Sequence, residues 1–193
     1  MNCLRSLAPL LVAIPLSDCA GPLNGAVGSA DYAPQYDFSE FYAAADGKTF
    51  VVSVVGNPFP AIATSEMRRH LLPVLQANAP PRPKFTFTYD QPAERPHPFY
   101  RLYVVFGAAN DLTAARVCAD QVRLAPGPGG RVDVFAVYCR NEQALSQATG
   151  SVIASSPEDP QLGNLFSKLF LALFPAIPIV PRPFPPARPW MRL

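Results

Sequence analysis

Apolar runs of distinct period alternate along the chain with short polar, proline-rich breaks, and the period of each run predicts its element. Thr49-Phe50-Val51-Val52-Ser53-Val54-Val55 is β-branched and almost wholly apolar, which predicts a central strand covered on both faces. Lys84–Tyr89 alternates with period two, three aromatics to one side and Lys and Thr to the other, and predicts a second strand. Tyr100–Phe106 and Val132–Tyr138 are further strand-like runs. Helical spacing places Phe38, Phe41 and Tyr42 together. It also puts Met67, Leu71, Val74 and Leu75 on one face of a helix over 64–77, with Pro73 expected to kink it. Asn110 or Asp111 is placed to cap a short helix carrying Cys118, and Asn141 to cap another through Gln147. Asp159-Pro160 opens the strongest helix, where Leu162, Leu165, Phe166, Leu169, Phe170 and Leu173 follow the i, i+3, i+4, i+7 pattern.

Strands interleaved with helices predict an α/β or α+β fold, a mixed sheet of about four to five strands with helices packed on it. The strand–helix–strand unit from Thr49 to Tyr89 predicts a parallel crossover, and the helix-free link from Tyr89 to Tyr100 predicts an antiparallel pair. The globular domain is expected over 36–174. Residues 19–35 are small and polar without apolar periodicity, as in a tether, and 175–193 form a Pro-rich tail with Phe184 and Trp190 as candidate anchors for an envelope partner.

Ahead of the tether, Arg5 is followed by the apolar run Leu7–Leu16. That run is about half the 20 residues a bilayer span needs, which suits a processed export signal over 1–18. Leu16-Ser17-Asp18-Cys19-Ala20 resembles the end of a bacterial lipoprotein signal peptide. The resemblance implies that Cys19 becomes the lipid-carrying first residue of the mature protein and ties the domain to a membrane. It also implies that Ala20 permits sorting to the outer membrane, facing the periplasm. Ordinary secretion after Gly28-Ser29-Ala30, giving a soluble periplasmic or secreted protein, is the alternative.

Export settles how the cysteines are read. Of four, Cys3 leaves with the signal and Cys19 is lipidated or removed, so Cys118 and Cys139 remain to form a disulfide in an oxidising compartment. Net charge is +2 with no basic stripe, which argues against a nucleic-acid partner.

Candidate chemistry is sparse. Gly127-Pro128-Gly129-Gly130 precedes a strand and is followed by Arg131, so it reads as a turn and not a phosphate loop. His70 and His97 lack metal-ligand spacing, Asp90 and Glu94 sit on a Pro-rich loop, and no G-x-S-x-G elbow exists. No catalytic residue, metal or cofactor is assigned. Gly56-Asn57-Pro58-Phe59 lies at the C-terminal end of a strand, where open α/β sheets bind ligands, and makes Asn57 and Phe59 the candidate ligand residues. That turn and the 159–175 helix resemble those of small bacterial envelope proteins without assigned activity. The expected role is therefore non-catalytic binding or assembly at the envelope, with a small-ligand enzyme working near Asn57 as the alternative.

Overall fold

A computed structural model describes residues 25–177 except 126, 128 and 129. The elements run β1 (Ala26–Tyr32), α1 (Phe38–Ala45), β2 (Thr49–Val55), α2 (Thr64–Ala77), β3 (Thr86–Thr88), β4 (Tyr100–Phe106), α3 (Ala114–Cys118), β5 (Val132–Arg140), β6 (Gln143–Val152) and α4 (Pro160–Leu173). Six strands form one mixed sheet in the order β1-β6-β5-β4-β2-β3, so the expected fold class holds with one strand more than the upper estimate.

Period two decides what each strand offers to either side. Phe50, Val52 and Val54 of β2, Leu102, Val104 and Phe106 of β4, and Val132, Val134, Ala136 and Tyr138 of β5 face the main core. There they meet Phe41 of α1, Met67, Leu71 and Leu75 of α2, and Leu165, Phe166, Leu169 and Phe170 of α4. The alternate residues Tyr103, Val105, Phe135, Val137 and Cys139 face a smaller cluster closed by Leu112 and by Ala114, Val117 and Cys118 of α3. Because both faces of β4 and β5 are covered, their sequences read as continuous apolar runs.

Four sequence expectations change. Residues 26–32, assigned to the tether, form an edge strand paired antiparallel to β6, with a bulge between Val27 and Ala30. Their small side chains carry no apolar signal because pairing runs through the backbone and Gly150 lets the β1 backbone come close: a Cβ there would lie 2.8 Å from Leu165 Cδ1 and 3.2 Å from the Ala26 carbonyl. The helix expected after Asn141 is the strand β6. Asn141 has φ +54 and turns the β5–β6 hairpin, and asparagine suits such a left-handed turn as readily as a helix cap. β3 and β4 do not pair; they flank β2 and both run parallel to it. The eleven-residue link 89–99, if extended, reaches roughly 36 Å, enough to return past a three-residue strand. Finally, Thr113 and not Asn110 or Asp111 caps α3, its Oγ1 accepting from Arg116 N–H at 3.4 Å, while α2 spans Thr64–Ala77 with Pro73 inside it, the bounds expected.

Candidate functional site

The proline-rich link 89–99 follows from β3 ending after three residues. It runs at the end of the sheet where β4 begins, and a cleft opens on either side of it, with His97 and Phe99 in both walls. The larger, about 820 Å³, is lined by Glu40 and Lys48 below and by Thr88, Asp90, His97 and Tyr100 around it. The smaller, about 350 Å³, is lined by Arg95, His97, Arg101, Asp120, Asn141 and Glu142.

In the larger cleft Glu40, from the first turn of α1, is the organising charge. Tyr100 donates its hydroxyl to Oε1 at 2.5 Å, and Arg140 Nη1 reaches Oε1 at 2.8 Å and Oε2 at 3.0 Å. Burial alone pushes the Glu40 carboxyl up, but the bonds from Tyr100 and Arg140 outweigh it and hold the group below its ordinary value. Burial, and then the same carboxylate, pushes Tyr100 up to about 12. Glu40 and Arg140 are thus charged and Tyr100 neutral at physiological pH.

Beside the smaller cleft Arg101 is inserted into an otherwise apolar strand. Its side chain is 3% exposed and lies between the Phe99 and Tyr103 rings, 5.4 and 5.2 Å from their centroids. Nη2 donates to the Cys118 carbonyl at 2.5 Å and meets Asp120 Oδ2 at 3.4 Å, whereas Nε is buried with no protein partner. Asp120 holds φ +62 and also takes the Tyr103 hydroxyl and, at 3.8 Å, Arg95. Cys118 is joined to Cys139, which lies opposite Arg101 on β5, with 5.6 Å between their Cα atoms. The disulfide therefore fixes the carbonyl that Arg101 binds.

Asn57 and Phe59 lie elsewhere. Asn57 Nδ2 donates to the Ile62 carbonyl at 2.9 Å and its Oδ1 accepts from Phe59 N–H at 2.9 Å, so the amide closes its own turn. Phe59 is buried in the main core. His70 pairs with Glu158 at 2.7 Å on the surface. Among the described residues no group of three or more His, Cys, Asp or Glu is placed to hold a metal ion. Cys19 and the tail anchors Phe184 and Trp190 lie outside the described residues. Sequence reasoning missed Glu40, Tyr100, Arg140, Arg101 and Asp120. Arg101 had a signal: a cation inside a strand covered on both faces needs partners and a reason to be there. Glu40 and Arg140 had none, since only folding brings them together.

No family model and no curated protein matches the chain. Among solved structures it is similar to PelC dodecamers from Paraburkholderia phytofirmans. For a PelC variant the identity is 16%, with 79% of this chain and 99% of that chain covered and a TM-score of 0.39. A second crystal form of PelC gives 14% identity, 77% and 97% coverage, and the same TM-score of 0.39. Among the described residues no helix is long and apolar enough to cross a membrane.

Proposed function

We propose that this chain is an envelope lipoprotein, anchored through Cys19 to the outer membrane and facing the periplasm, with a non-catalytic binding or assembly role toward an envelope partner. The observation that carries the anchoring is β1: cleavage after Ala30 would cut inside the Ala26–Tyr32 strand and remove half its pairing with β6, whereas processing at Cys19 leaves the strand whole. The buried Cys118–Cys139 disulfide supports an oxidising compartment. The tether enters at Ala26, at the end of the sheet opposite the clefts, about 20 Å away along a seven-residue strand. An anchored domain thereby presents the 89–99 link away from the membrane.

Binding is favoured over catalysis because the charges beside the larger cleft are locked. A general acid or base works best with a pKa near the operating pH, and Glu40 is held low while Tyr100 is pushed up to about 12.

Mass spectrometry of the mature N-terminus tests the anchor: lipid on Cys19 is expected, and a start at Asp31 or an intact Met1 overturns it. A photo-crosslinking residue at Gln91 in cells is expected to capture an envelope partner that one at Ser151 does not. Equal capture, or none at Gln91, overturns the assignment of the working end.

A further inference from the structure

We infer that the smaller cleft is a binding site for a small organic anion carrying a carboxylate or phosphate, held by Arg101 and Arg95. The inference does not rest on the lipid anchor and goes beyond the role proposed above by naming a site and a ligand chemistry.

A guanidinium has five N–H donors in a fixed fork suited to planar oxyanions. Arg101 spends one on a short bond to the Cys118 carbonyl and one on a long contact to Asp120, and its Nε, at the base of the fork, has no protein partner. A charge this deeply buried is costly unless further donors are satisfied. The position is nonetheless held rigid by two aromatic rings, by the β4–β5 pairing and by the disulfide-fixed carbonyl. Such a fork, immobilised at the wall of a 350 Å³ cleft, is preorganised for an anion and loses little freedom on binding.

Arg95 extends the same positive region. It stands over the Phe99 ring at 5.5 Å on the 89–99 link, more than half exposed, and touches Asp120 only at 3.8 Å. Among the described residues Asp120 is the one carboxylate within ion-pair reach of the two guanidiniums, and its side chain is 55% exposed. Modest rotation of Asp120 toward solvent would open the fork while its Tyr103 bond persists. Asn141, whose Oδ1 is taken by Phe99 N–H, also lines the cleft and leaves its amide NH₂ as an added donor. Glu142 also lines the cleft, and its negative charge opposes the ligand. This opposition makes the sign of two substitutions diagnostic.

The test is calorimetric titration of the full chain in detergent with succinate and, separately, with inorganic phosphate. One-to-one saturable binding of at least one is expected, in the millimolar range or tighter. Arg95→Ala, a surface change, should weaken it about tenfold, one lost charge-assisted contact. Glu142→Gln should tighten it severalfold. Arg101→Lys keeps the charge but loses the fork and should abolish saturation, with unchanged circular dichroism confirming the fold; if that variant does not fold, the Arg95 and Glu142 pair decides. Absence of saturable binding of either anion, or binding indifferent to both Arg95→Ala and Glu142→Gln, overturns the site.

Discussion

Phe41 and Phe174 stack face to face, with ring centroids 4.1 Å apart and planes 7° from parallel, joining the first helix to the end of the last. Phe41 also meets Phe50, Phe85 and Tyr138 edge-on, so one ring holds α1, α4 and three other parts of the chain in register. Phe41→Ala is therefore expected to cost about 3–5 kcal/mol, and urea unfolding reads it directly.

Helix α4 makes a sharper comparison, because one helix carries both a core and a solvent position. Phe166 is fully buried and Leu171 is 62% exposed. Phe166→Ala should lower stability by about 3–5 kcal/mol, and Leu171→Ala by no more than about 0.5 kcal/mol. Thermal melts of the two variants that coincide would mean that the packed face of α4 had been assigned wrongly.

Two glycines separate backbone conformation from space. Gly56 has φ +86 and a Cβ there would lie 2.4 Å from the Phe106 carbonyl, while Gly47 has φ +71 with open space around it. Alanine at 47 should cost about 1 kcal/mol, the left-handed penalty alone. At 56 the cost should exceed that by about 1 kcal/mol or more, because the clash is with backbone that cannot step aside. Denaturant midpoints measured side by side provide the check.

The disulfide closes a segment with a sequence separation of 21. Replacing Cys118 and Cys139 together by alanine should cost roughly 3 kcal/mol in the chain-entropy account. Unfolding of the oxidised protein and of the double variant, compared in the same buffer, measures it.

Acid sensitivity follows from Glu40. Its folded pKa lies below the ordinary 4.5, so the carboxylate stabilises the fold fully above that pH, and the contribution disappears as the pH falls through the folded value. Asp159 acts in the same direction, held low by the Gln161 and then the Ser155 backbone N–H groups that it caps at the start of α4. Glu40→Gln should flatten the loss of stability below about pH 4.5 and lower stability at neutral pH, where the Arg140 pair is broken. A wild-type acid limb retained in full by Glu40→Gln would assign the sensitivity to other carboxylates.

What was legible in sequence is what local periodicity encodes. The runs at 49–55, 100–106 and 132–138 are strands, and the 159–174 pattern is a helix whose apolar residues are buried. In each of these the side chains that meet the core recur at a spacing that a short window reveals. The expectation of export singled out Cys118 and Cys139 as a pair, and the fold brings them into bonding contact. Edge strand β1 stayed hidden because it is stabilised by backbone pairing to β6, about 120 residues downstream, and its small side chains have no pattern of their own.

The sequence by itself determined the mixed α/β class and the buried faces of its strongest elements, since each depends on neighbours close in the chain. The tertiary structure alone decided the strand order, the turn at Asn141 and the two clefts beside the 89–99 link. Glu40 and Arg140 stand 100 positions apart, and Arg101 meets Asp120 beside the disulfide that bonds α3 to β5. The physical reason is that a buried or half-buried charge is tolerated only where a partner from a distant segment arrives, and no short window of sequence contains both halves of such a pair.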